Sequence, residues 1–92
     1  DMATDWARLT AEEKRQIEFY VRRLEEITGS KNADRATAAS VGLSFHYFMV
    51  RQMKEAEIFA RRAFQQQPND TGAQYALFAI LASQKRYDEL VE

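Results

Sequence analysis

The sequence predicts an all-α protein of antiparallel helical hairpins with one extra helix on the N-terminal side. Three observations predict it. Apolar residues recur at three- and four-residue spacing along most of the chain, which is the period of a helix with one buried face. The single proline and the three glycines divide the sequence into helical lengths. Within one of those lengths, "KEAEIFARRAFQQQPND", Ala56, Ala60 and Ala63 form a stripe of small residues that ends abruptly at Pro68.

The 92 residues make one domain or a piece of one. Hydrophobic residues are 46% of the chain, enough for a modest core and too many for a disordered segment. Charges are balanced, at a formal −1, so no basic surface points to nucleic acid. The pairs Arg22-Arg23, Arg61-Arg62 and Lys85-Arg86 sit among acidic residues and read as solvated helix faces. There are no cysteines, hence no disulfide framework and no thiolate chemistry. No apolar run reaches the ~18 to 20 residues that span a bilayer. The start of the chain shows no basic-then-apolar leader. The expectation is a cytoplasmic protein without membrane insertion.

The first helix is expected over residues 11–28. "TAEE", Thr10 to Glu13, has the form of a capping box. Ile17, Val21, Leu24 and Ile27 follow at helical spacing, with Tyr20 beside them, and Gly29 is expected to cap the end in the left-handed conformation. Trp6 is expected to fold back onto the core. Asn32 or Asp34 can cap the next helix, read from Ala36 to Val50. That helix has two apolar faces. Ala36, Ala39, Leu43, Tyr47 and Val50 make one; Val41, Phe45, Phe48 and Met49 make the other. Such a helix is covered on two sides or holds one side open for a partner.

The alanine stripe defines a third helix over about 54–67, with Ile58, Phe59 and Phe64 expected to fill its flanks and Pro68 to stop it. Asn69, Asp70 and Thr71 offer caps for the next stretch, "TGAQYALFAILASQ", which is apolar almost all round and so is expected between two neighbours. "KRYDELVE" then begins a fifth helix. No glycine or proline marks the reversal near Arg51-Gln52-Met53, so a rival structure exists. It is one straight helix from 34 to 67, roughly 50 Å long. The alanine stripe and the internal repeat favour the hairpin.

Shifted by 34 residues, the chain partly matches itself. Thr37 returns as Thr71, Ala39 as Ala73, Leu43 as Leu77 and Glu55 as Glu89, and Arg51 is answered by Lys85. From Thr37 to Asp70 the sequence resembles the tetratricopeptide repeat, a 34-residue pair of antiparallel helices stacked into a superhelix. Leu43 and Tyr47 stand at the Leu and Tyr positions of its first helix. Ala56 and Ala63 stand at small positions of its second, Pro68 at the closing proline and Tyr87 at the aromatic opening the next second helix. Ser40, Ser44 and Ala60 depart from the pattern, replacing the frequent Trp, Gly and aromatic, and Leu81 stands where the second copy should have Tyr. The resemblance covers residues 37–92: repeat one is 37–70, within a repeat region of 33–92, and repeat two, 71–92, is incomplete. Residues 1–32 remain as an N-terminal segment with a capping or groove-covering helix.

Catalytic chemistry finds no support in the sequence. His46 is the only histidine and has no second ligand at metal-binding spacing. Ser44 and His46 are two apart and point to different sides of a helix, which no nucleophile–base pair tolerates. No glycine belongs to a phosphate-cradling loop. The expectation is a non-enzymatic protein without cofactor or metal. The resemblance implies a concave surface lined by the first helix of each unit, here Val41, Phe45, Phe48 and Met49 joined by Tyr75 and Ala79. It implies a protein or peptide partner, captured as an apolar or amphipathic segment by an adaptor or chaperone; small bacterial secretion chaperones of similar architecture are one option. The basic and asparagine residues of carboxylate-clamp members are absent from these positions. The alternative is a self-association module whose apolar face is met by another copy. In the blandest reading the first helix simply lies across that face.

Overall fold

The computed structural model describes residues 7–86, and every described element is helical. The helices are α1 (Ala11–Ile27), α2 (Ala33–Met49), α3 (Met53–Gln66) and α4 (Thr71–Ser83). Trp6 and the fifth helix expected at the end of the chain, over residues 87–92, lie outside the described residues.

Three of the four helices begin where a short polar side chain replaces a missing backbone partner; α3, which follows Gln52, has no side-chain cap. At α1 the expected capping box is formed: the Glu13 N–H donates to Thr10 Oγ1 at 3.1 Å and the Thr10 N–H to Glu13 Oε1 at 2.9 Å. These bonds favour the ionised carboxyl, so the Glu13 pKa is lowered. Asn32 caps α2 by accepting from the Arg35 N–H, and Asp70 caps α4 by accepting from the Ala73 N–H. The end of α1 departs from expectation. Gly29 is not left-handed. The Thr28 hydroxyl donates to the Glu25 carbonyl at 2.6 Å, and Gly29 and Ser30 N–H groups take the carbonyls of Glu26 and Ile27. With those carbonyls satisfied, the chain leaves α1 without needing a positive φ. Gly42 and Gly72 are not punctuation either; both lie inside helices.

The reversal after α2 is made by an arginine. Arg51 has φ 67°, in the left-handed region. The Gln52 N–H reaches back to the Tyr47 carbonyl at 2.8 Å and the Arg51 N–H to the Phe48 carbonyl at 3.1 Å. This is the Schellman arrangement, which ends a helix and turns the chain sharply. Its far end is held by Gln67 Nε2, which donates to Asp34 Oδ1 at 2.7 Å, so the first residue past α3 meets the first turn of α2. Helices α2 and α3 therefore run antiparallel, and the straight helix is excluded.

The same turn recurs 34 residues later. Lys85 has φ 59°. The Arg86 N–H bonds to the Leu81 carbonyl and the Lys85 N–H to that of Ala82, both at 3.0 Å. The period read from four identities is thus carried by backbone conformation at two helix ends. It does not extend to the starts, because α2 is 17 residues and α4 is 13, about one turn shorter.

Packing between α2 and α3 is close because the facing residues are small. Ala56, Ala60 and Ala63 are all fully buried, opposite a helix that buries Ala36, Thr37, Ala39, Ser40, Leu43 and Ser44. The hydroxyls of Ser40 and Ser44 bond to their own helix, at the carbonyls of Ala36 (3.0 Å) and Val41 (2.6 Å), so they enter the interface without an unmet donor. At the turn end the Tyr47 and Phe59 rings stack, centroids 5.7 Å apart. The other expected flank residues do less: Ile58 is 48% and Phe64 38% exposed.

Helix α4 returns along α3. Its far end is held by Arg86, whose guanidinium pairs with Glu57, which also accepts from Arg61 at 2.8 Å. Burial pushes the Glu57 pKa up, but the bonds and charges of the two arginines outweigh it and the pKa is lowered. Gly72, in the first turn of α4, faces α2; a Cβ there would meet Val41 Cγ1 at an ordinary 3.8 Å and would crowd only the capping carboxylate, Asp70 Oδ2, at 3.1 Å. Ala73, Ala76, Ile80 and Leu81 are buried. Helix α4 packs against both α2 and α3, the two neighbours expected for it, while Tyr75 and Phe78 face solvent, 64% and 55% exposed.

Candidate interaction groove between helices α2 and α4

The six residues expected to line a groove separate into two groups. Val41, Phe45 and Phe48 are half-buried, packed with Tyr47 and Leu77 around the cluster Ala56, Ala60, Ala76 and Ile80. They are partly core, and α3 and α4 rather than α1 supply the atoms that bury them. Ala79 is half-buried as well. Met49, 52% exposed, and Tyr75 form the open part. Phe45 and Tyr75 join the two helices, their ring centroids 6.0 Å apart and tilted by 41°. The surface is therefore continuous across α2 and α4, with its floor anchored in the core and its rim in water.

Toward the helix starts this surface deepens into a cleft of about 350 Å³ lined by Asp34, Ala38, Val41, Gln67, Asp70 and Gly72. Ala38 and Gly72 give it depth because they carry almost no side chain. Asp34 and Asp70 place two carboxylates at its edge, each accepting a neutral donor, from Gln67 Nε2 and the Ala73 N–H respectively. The acidic edge was missed in the sequence, where both residues read only as helix caps. The 34-residue period could not reveal it, since it pairs Asp70 with Ala36.

Helix α1 packs beside this surface. Its Leu24 meets Gly42, and Tyr20, Leu24 and Ile27 surround Arg35, Ala38 and Ala39 across a second cleft of about 290 Å³. The Tyr47 hydroxyl donates to Glu25 Oε1 at 3.1 Å. Burial, reinforced by that carboxylate, raises the Tyr47 pKa. These contacts fall on the side of α2 next to the Val41–Met49 face. No α1 residue is buried, and Phe19 and Tyr20 are 67% and 61% exposed.

No family model, curated protein or solved structure matches the chain significantly.

Among the described residues no three His, Cys, Asp or Glu side chains cluster as metal ligands, and no helix is long and apolar enough to cross a membrane. His46, the only histidine, lies edge-on to Tyr47 at 5.1 Å, and burial lowers its pKa.

Proposed function

We propose that the protein is a non-enzymatic interaction module of tetratricopeptide type, which captures an apolar or amphipathic segment of a protein partner in the α2–α4 groove. The observation that carries this reading is the Phe45–Tyr75 junction, flanked by Met49, where an anchored aromatic floor continues into an exposed rim. Aromatic side chains held by a core and open on one face are the usual anchors of peptide recognition, because they bury large area while losing little rotamer freedom. The carboxylates of Asp34 and Asp70 repel a free acidic C-terminus and favour a ligand with a lysine or arginine near that end. The ligand class is then a segment with two or three apolar residues at helical spacing and a cation beside them, the helix-in-groove mode. An adaptor or a chaperone would use such a groove in the same way.

The test uses substitutions that leave the floor intact. Phe45→Glu would place a charge in the core, so it confuses lost binding with lost folding. Met49→Glu and Tyr75→Ala alter side chains that are mostly exposed. A peptide-display selection on the wild-type protein, counter-selected against the double variant, should enrich apolar sequences carrying a basic residue. Binders indifferent to both substitutions, with helicity of the variant unchanged, refute the groove.

A further inference from the structure

The groove has a second wall. On α2, Val41 faces Gly72 of α4, and the next residue, Gly42, faces Leu24 of α1. Successive residues on a helix point about 100° apart, so α4 and α1 approach α2 from directions about 100° apart. Counted from Val41, the residues Asp34, Phe45, Ala38 and Met49 point about 20°, 40°, 60° and 80° round, all inside that arc. Asp34, Ala38 and Met49 are exposed and Phe45 is half-buried, whereas every buried residue of α2 points outside the arc. Helix α2 is thus a floor with α4 on one side and α1 on the other.

The same counting places Tyr20. Glu25 accepts from the Tyr47 hydroxyl, and Tyr47 stacks on Phe59, so the Glu25 flank of α1 faces α3. Tyr20 lies on the other side of Leu24, about 140° round α1 from Glu25, on the flank turned toward α4. It is 61% exposed and lines the cleft that Arg35 and Ala38 share. Tyr75, 64% exposed, rises from the opposite wall. Ala38 lines both this cleft and the one edged by Asp34 and Asp70, so the two clefts are halves of one trough that meet over a methyl group.

Charge and width select the occupant. At the helix starts Asp34 and Asp70 stand on the α4 side of the trough, and Arg35 stands on the α1 side. Helix α4 carries no charged residue from Thr71 to Ser83, and Arg23 of α1 is already paired with Glu26 at 2.9 Å. Walls about 9 Å from α2 and about 100° apart stand ~14 Å from each other, room to seat one helix of ~10–12 Å diameter across them and too little for two. We infer that α1 is the second wall of the trough and that the occupant is one amphipathic helix of a protein partner. Its apolar stripe sets a bulky residue over Ala38. At that end it carries a lysine or arginine on the α4 flank and an aspartate or glutamate on the α1 flank, opposite charges meeting opposite charges. The floor from Asp34 to Met49 is ~22 Å long, about four turns of such a helix. This inference rests on the groove proposed above and adds Tyr20 and Arg35 to its contacts.

The probe is a display library of helical peptides of about 18 residues, long enough to span the floor, with leucine or phenylalanine at helical spacing and the two flanking positions at one end randomised. Selection on the wild-type protein should return a basic residue on one flank and an acidic residue on the other. Tyr20→Ala should weaken the selected peptides by about fivefold or more in fluorescence anisotropy, as Tyr75→Ala does, since both remove an aromatic anchor. Phe19→Ala, which points about 140° away from Leu24 on the outer side of α1, should leave them within twofold. Helicity and urea midpoint should be unchanged in all three. Arg35→Glu keeps the fold, because a carboxylate suits the first turn of α2, and should reverse the selected residue on the α1 flank from acidic to basic. Peptides weakened by Tyr75→Ala but indifferent to Tyr20→Ala and Arg35→Glu overturn the second wall and leave the α2–α4 groove standing. Flanks returned without a charge preference overturn the occupant's chemistry. Peptides indifferent to Tyr75→Ala as well remove the groove and this inference together.

Discussion

Replacing Arg51 with glycine gives opposite signs for the two structures that the sequence allows. In the hairpin, Arg51 holds φ 67°. An L-residue pays roughly 1–2 kcal/mol in the left-handed region, where its Cβ crowds the following carbonyl. Glycine removes that strain but adds freedom to the unfolded chain, offsetting about 0.5–1 kcal/mol. The expected net effect is a stabilisation of about 0.5–1 kcal/mol, a rise in Tm of roughly 3–6 °C for a domain of this size. In a straight helix the same position would be interior, and glycine would cost about 0.8–1 kcal/mol. Urea unfolding followed by circular dichroism measures the difference, provided the m-value is unchanged. Lys85→Gly should shift the midpoint the same way, because its φ is 59°. Arg51→Val should lower it, since a β-branched side chain tolerates this conformation least. A lower urea midpoint for Arg51→Gly refutes the left-handed turn, and with it the fold.

Gly42→Ala should stabilise by about 0.5–1 kcal/mol through helix propensity; the new Cβ would sit 3.5 Å from Leu24 Cδ1, an ordinary contact. A loss in urea unfolding would mean that α1 lies closer to α2 than described. Thr37→Val should be neutral or stabilise by up to about 1 kcal/mol, because the buried Thr37 Oγ1 has no hydrogen-bond partner. Destabilisation beyond about 1 kcal/mol would show that the hydroxyl is bonded. Stability should fall on acidification in two stages. The His46 pKa is lowered by burial from its ordinary 6.5. Below pH 6.5 the unfolded chain therefore binds a proton that the folded one resists, and stability drops. Glu57, lowered by its arginines from 4.5, adds a second loss as pH falls below that value. Urea midpoints at pH 7, 6 and 5 should decline in the wild type and remain flatter in His46→Gln; an equal slope in both would remove His46 as the cause.

Much of the fold was legible because it rests on local chemistry. The Thr10–Glu13 box, the Asn32 and Asp70 caps and the stop before Pro68 are contacts within three or four residues, fixed by the types present. The alanine stripe was legible too, since helical geometry alone puts Ala56, Ala60 and Ala63 on one side. The turn at Arg51 was not written as a turn signal. Arginine has no preference for positive φ, and the only hint was the distant Lys85 that a repeat comparison supplies. Gly29 misled in the opposite direction, because the Thr28 hydroxyl had already taken the carbonyl a left-handed cap would serve.

The groove divides along the same line. Sequence placed Val41, Phe45, Phe48 and Met49 on one face of α2, as periodicity must. It could not say how much of each side chain α3 and α4 would bury, which follows from how closely the alanines let those helices approach. Nor could it see the Asp34–Asp70 edge, which exists because the starts of α2 and α4 meet in space. By itself, then, the sequence determined the helices, their caps and the faces they present, since these depend on neighbours along the chain. The tertiary structure alone decided which of two apolar faces stays open and where α1 rests, because both depend on the shapes of surfaces brought together only after the chain has turned.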